Sequence, residues 1–145
     1  MKHKFGLVIF DMQGTLTHED KAIDGAVELA ARLHGAGIKT AVVSDYPYEK
    51  IKKILDGEKI DSSNFDALIS SAHYAEAFGE AAEKCGAENY ETAVCSGSMV
   101  AVKVASKLGM KALAVKARFN DAMYKKAGAD GVFSDIAALS DYLEE

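Results

Sequence analysis

The chain has no tryptophan, one proline, two cysteines and no apolar run long enough to cross a bilayer. Each scarcity excludes something. A lone Pro47 leaves no proline-rich linker or extended polyproline segment. Cys85 and Cys95 form neither a Cys-x-x-Cys pair nor part of a Cys/His cluster at zinc spacing. The expectation is a reduced, cytoplasmic protein. The first apolar run ends within ten residues at Asp11, too short for a signal-peptide core, so neither a secretory signal nor a membrane span is expected. Positive charge is also short. Lysine and arginine total 17 against 22 aspartates and glutamates, a net charge of −5. The longest basic runs are the pairs Lys52-Lys53 and Lys125-Lys126. This gives no electrostatic case for nucleic acid or an anionic membrane as partner.

What is present is an ordinary globular composition, 49% hydrophobic and 27% charged over 145 residues. That length is expected to form one domain, 1–145, with a core that needs no covalent staple. Leu7-Val8-Ile9-Phe10 is a continuous apolar run, the pattern of a strand covered on both faces. Ile23, Ala26, Val27, Ala30 and Leu33 then recur at helical spacing, and Gly35 and Gly37 stop the helix. The alternation continues. Strands are expected at 7–10, 38–43, 65–69, 92–95, 111–115 and 131–133. Helices are expected at 21–36, 47–56, 73–86, 98–108, 119–127 and 135–143.

Alternating strands and helices imply right-handed βαβ units, a parallel central sheet and helices on both faces, a three-layer α/β/α domain. Ligands of such sheets bind beyond the carboxyl ends of the strands. The strand exits therefore carry the candidate residues: Asp11, Ser44-Asp45, Ser70-Ser71, Ser96-Gly97-Ser98 and Lys116. Thr15, Ser44, Ser96, Gly97 and Ser98 are small hydrogen-bonding residues there, and helix N-termini follow Ser44 and Gly97. A phosphate can bind such a cradle; equally, these residues serve the tight turns of the fold.

Phe10-Asp11-Met12-Gln13-Gly14-Thr15-Leu16 resembles the first motif of the haloacid dehalogenase superfamily, Asp-x-Asp-Gly-Thr-Leu. Thr40 to Ser44 resembles the second motif, Phe78 to Gly86 the helix after the third, Ala93 to Lys111 the fourth, and Ala129 to Phe133 the last strand. The resemblance implies a Rossmann-like fold of that superfamily without a cap domain, because the stretch between the first two motifs has room for little more than one helix. It also implies a phosphatase-type site with Asp11 at the nucleophile position. In that family magnesium neutralises the meeting of carboxylate and phosphate. An acid two residues after the nucleophile exchanges the proton, a third-motif lysine holds the phosphate, and fourth-motif aspartates complete the metal shell.

This chain departs from that pattern at the charged positions. Gln13 stands where the acid belongs, and an amide exchanges no proton near neutrality. Ser71-Ala72-His73 contains no lysine, and Gly97 and Ala101 align with the fourth-motif aspartates. Asp11, the Gln13 carbonyl and water would make a weak magnesium site, if any. The resemblance so amended implies weak or no standard magnesium-dependent phosphatase activity. The alternative is a non-catalytic descendant that binds a small phosphorylated ligand or a protein partner. His73, Lys103 and Lys116 are candidates for the missing cation and Asp45 for a second carboxylate, against the plainer reading of surface residues. If the register holds, Gln13→Asp with Gly97→Asp would rebuild a metal shell.

Three other readings fit less well. Metal-free haloacid dehalogenases also need the lysine and a cap. A response-regulator receiver needs an acidic pair at the end of its first strand, where this chain has Asp11-Met12. A cysteine-phosphatase loop from Cys95 would need an arginine at position 101, which is Ala101.

Overall fold

The computed structural model describes residues 4–145. Six parallel strands form one sheet: β1 (Leu7–Asp11), β4 (Lys39–Ser44), β5 (Ala67–Ser70), β6 (Thr92–Ser96), β7 (Lys111–Val115) and β8 (Gly131–Phe133). Their spatial order is β5-β4-β1-β6-β7-β8. The helices are α1 (Ala26–Gly35), α2 (Tyr48–Gly57), α3 (Tyr74–Cys85), α4 (Met99–Lys107), α5 (Asp121–Ala127) and α6 (Ile136–Leu143). This is the expected three-layer α/β/α arrangement. Among the described residues no cap interrupts it: only a hairpin and α1 separate β1 from β4, and α3 with a short 3-10 turn separates β5 from β6.

The two faces of the sheet follow from the two-residue period of a strand. Val8 and Phe10 enter one core with Leu29 and Leu33 of α1, Ile51 and Leu55 of α2, and Leu139 of α6. Leu7 and Ile9 enter the other with Phe78 and Ala81 of α3, Val102 of α4 and Tyr124 of α5. All five residues of β1 are buried, which is why its sequence is a continuous apolar run. The same parity sends Asp11 toward the face covered by α3 and α4. Ser96, two residues beyond Val94, shares that face.

The order of strands places the site. The chain steps outward from β1 to β4 and β5, then crosses back to β6 on the other side of β1. Connections on either side of β1 therefore diverge and leave a crevice beyond its carboxyl end. Phe10 pairs with Cys95 in register, so the next residues, Asp11 and Ser96, emerge side by side into that crevice.

One expected element is different. The helix expected over 21–36 begins only at Ala26. Residues before it form a two-stranded antiparallel hairpin, β2 (Thr17–His18) and β3 (Lys21–Ala22). Its turn puts Glu19 and Asp20 at positive φ, 48° and 63°, a geometry that favours glycine and costs other residues. Two-residue strands carry no alternation to read, and Ile23 lies at a helical interval from Ala26, so the helical pattern overran the hairpin. No helix among the described residues is long and apolar enough to cross a membrane.

The exits of β6 and β7 are joined by one buried side chain. Tyr124 Oη donates to the Gly97 carbonyl at 2.9 Å and accepts from the Ala117 amide at 3.2 Å. Tyr124→Phe keeps the ring but strands both backbone groups. The expected cost is about 1–3 kcal/mol in urea denaturation, whereas an unchanged midpoint would mean that water replaces the hydroxyl.

Candidate functional site

Asp11 ends β1 with only 7% of its surface exposed. Two hydroxyls donate to the same carboxylate oxygen, Oδ2: Tyr74 Oη at 2.8 Å and Ser96 Oγ at 2.8 Å. Ser96 Oγ in turn accepts from the Ser98 amide at 3.0 Å, and Ser98 caps α4 by accepting from the Ala101 amide at 3.2 Å. Burial raises the pKa of Asp11 from 3.8; the two hydroxyls oppose that shift, and the negative charge of Asp45 adds to it. Burial and the neighbouring Asp11 charge push the Tyr74 hydroxyl up in turn, so it stays protonated and can donate.

Beside Asp11 lies a cavity of about 220 Å³, lined by Gln13, Val43, Ser44, Asp45, Ser71, Ala72, Tyr74 and Ala77 as well. Its lining contains two carboxylates and no lysine, arginine or histidine. The candidate substitute cations lie elsewhere. Lys116 Nζ pairs with Asp121 at 3.0 Å. Lys103 lies among Met99, Met123, Lys126 and Ala127. His73 is exposed at the N-cap of α3. Asp45 does share the cavity with Asp11.

Gln13 is occupied by the hairpin. Its Oε1 accepts from Thr17 Oγ1 at 2.5 Å, and its Nε2 donates to Tyr46 Oη at 3.0 Å and to the Asp20 carboxylate. Tyr46 Oη also donates to Asp20 at 3.2 Å. A carboxylate could accept from Thr17 but could not donate to Tyr46 and Asp20 as this amide does. A carboxylate at position 13 would meet Asp20 as a like charge.

The hydroxyls proposed for a phosphate cradle are also engaged within the fold. Ser44 Oγ accepts from the Tyr46 amide at 3.1 Å, and Ser96 and Ser98 are bound as described. Thr15 Oγ1 is the exception: the residue is fully buried and this oxygen has no partner among the described residues. Gly97 is hemmed in. A Cβ built there would lie 2.9 Å from the Val115 carbonyl and 3.2 Å from Ala117. The position that aligns with a metal-binding aspartate has thus lost the space for a side chain as well as the carboxylate. On this backbone a side chain at Gly97 would press on the Val115 carbonyl, so Gly97→Asp is not expected to rebuild a metal shell without a backbone shift. The donor set fits magnesium poorly, and no group of three or more His, Cys, Asp or Glu among the described residues is placed to hold a metal.

Sequence reasoning missed Tyr74, Tyr46, Asp20 and Thr17. Tyr74 carried a readable signal, since it opens α3 directly after the third-motif position. Tyr46 and Asp20 meet Gln13 only through the hairpin, which the sequence pattern concealed.

The burial of Asp11 has a pH signature. A carboxyl whose folded pKa is raised stabilises the fold fully below the unfolded value, 3.8, and that contribution is lost as pH rises through the folded value. Above pH 3.8 the burial of Asp11 therefore weighs against folding. Both hydroxyls donate to one oxygen, so an asparagine carbonyl can accept both. Asp11→Asn is expected to raise the Tm near neutral pH, and the gain should vanish below 3.8. A lowered Tm at neutral pH would contradict a net cost of burying this carboxyl.

Comparison with known proteins identifies the family. Residues 8–128 match the model of a haloacid dehalogenase-like hydrolase family. The Arabidopsis thaliana protein SUPPRESSOR OF QUENCHING 1, chloroplastic, is 28% identical over 122 residues, covering 80% of this chain. The chain spans 12% of that protein's length. A haloacid dehalogenase family hydrolase from Deinococcus radiodurans R1, crystallised with phosphate and sodium, superposes with a TM-score of 0.80 at 14% identity, over 95% of this chain and 94% of its own. The cobalt-bound deoxy-D-mannose-octulosonate 8-phosphate phosphatase from Haemophilus influenzae superposes with a TM-score of 0.73 at 17% identity, over 97% and 88%. The chain belongs to the haloacid dehalogenase-like hydrolase family.

Proposed function

We propose that this member of the family has weak or no standard magnesium-dependent phosphatase activity, with Asp11 kept at the nucleophile position as part of a binding pocket. The observation that carries this reading is the lining of the Asp11 cavity, which has two carboxylates and no cation. A carboxylate attacks a phosphoryl group only when positive charge screens the two anions from each other. Here hydroxyls of Tyr74 and Ser96 take the place of that charge on Asp11 Oδ2. They stabilise the carboxylate but bring no positive charge to a phosphate. Gln13, held by Thr17, Tyr46 and Asp20, provides no acid for a leaving oxygen. In this reading Ser44, Ser96 and Ser98 serve the turns rather than a phosphate, and the pocket belongs to a non-catalytic descendant that recognises a ligand or a partner. Two buried, free thiols, Cys85 and Cys95, suit a reducing compartment such as the cytoplasm.

The test is turnover. Purified protein with magnesium and p-nitrophenyl phosphate should hydrolyse it no faster than the Asp11→Asn variant does. Magnesium-dependent turnover that Asp11→Asn abolishes would contradict the reading.

A further inference from the structure

We propose that the Asp11 pocket receives an organic cation, an alkylammonium or guanidinium group, rather than a phosphate. The proposal rests on the non-catalytic reading of this site and specifies its ligand. Its first support is the cavity itself, in which Asp11 and Asp45 are the only charged groups of the lining. Neither takes part in an ion pair among the described residues. The second support is Asp11 alone. A buried carboxyl group is normally paired with a cation or a metal, or else keeps its proton. Asp11 is more than nine-tenths buried, its side-chain partners are the two hydroxyls on Oδ2, and no cationic side chain pairs with it among the described residues. Lys50, the lysine of α2 that follows the Asp45 turn, lies instead over the ring of Tyr46, 4.0 Å from its centre.

Size and wall chemistry narrow the class. About 220 Å³ is below the roughly 300–1,000 Å³ of pockets that enclose drug-sized molecules. It suits the end of one side chain or a small amine. Tyr74 supplies an aromatic wall, and aromatic rings attract ammonium and guanidinium groups. Ser44 and Ser71 add hydroxyls to the two carboxylates. A phosphate in the same space would meet two acidic side chains and no cationic one. The net charge of −5 gives the whole molecule a field that favours cations. The same head group can come from a free amine or from a lysine on a partner protein.

The test is an NMR titration of the ¹⁵N-labelled protein with n-butylammonium, a capped lysine tripeptide, inorganic phosphate or potassium chloride at matched ionic strength. Either amine is expected to produce saturable shifts at the amides of Ser44, Asp45, Ser71 and Tyr74. Tighter binding of the tripeptide would point to a partner's lysine, and tighter binding of butylammonium to a free amine. The shifts should weaken at least fivefold in Asp45→Asn and disappear in the Asp11→Asn/Asp45→Asn double variant, whose unperturbed spectrum elsewhere reports the fold. Saturable shifts with phosphate and none with the amines would overturn the proposal, as would amine shifts that persist in the double variant or are matched by potassium chloride. Failure of this titration leaves the phosphatase assay to judge the loss of activity on its own.

Discussion

Asp11 leaves β1 with only 7% of its surface exposed, and the hydroxyls of Tyr74 and Ser96 converge on one of its oxygens. Much of the surrounding structure depends on this contact. It links the carboxyl ends of β1 and β6 to the first residue of α3, across the crevice where the strand order reverses. It also couples to the start of α4, because Ser96 Oγ accepts the Ser98 amide and Ser98 caps that helix. Hydrogen bonds favour the ionised carboxylate and burial opposes it, and burial is the larger influence. A cationic side chain would reverse that balance, and the lining of this site has none.

The departures from the family pattern are connected. Gln13 is not a single lost acid, because the hairpin is built on its amide: Thr17 donates to it, and it donates to Tyr46 and Asp20. Gly97 is not a single lost ligand, because the Val115 carbonyl lies 2.9 Å from where a side chain would begin. Tyr124 then ties the Gly97 carbonyl to the loop after β7. Restoring one carboxylate would meet Asp20 at one position and backbone at the other.

The fold was largely legible because both faces of its sheet are covered. Strands such as 7–10 and 111–115 are then continuous apolar runs, and helices between them show the 3.6-residue period. The hairpin at Thr17–Ala22 was not legible: its strands are two residues each, and its turn uses Glu19 and Asp20 at positive φ rather than a glycine. The candidate site was legible in part. Asp11, Gln13, Ser44, Asp45 and Ser96 stand out as polar residues at or just after strand exits, and the structure brings them to one end of the sheet. Tyr74 and Tyr46 reach the site through nonlocal packing, which a linear pattern does not record. The crowding at Gly97 depends on the neighbouring β7 loop and was equally hidden.

The central claim is that Asp11 is a buried carboxyl group with no cationic side chain beside it among the described residues and surroundings that suit magnesium poorly. The most direct measurement is a ¹³C NMR titration of its carboxyl carbon, with and without magnesium. The account predicts a midpoint above 3.8 that magnesium leaves unmoved. A midpoint at or below that value, or one that magnesium lowers, would contradict it.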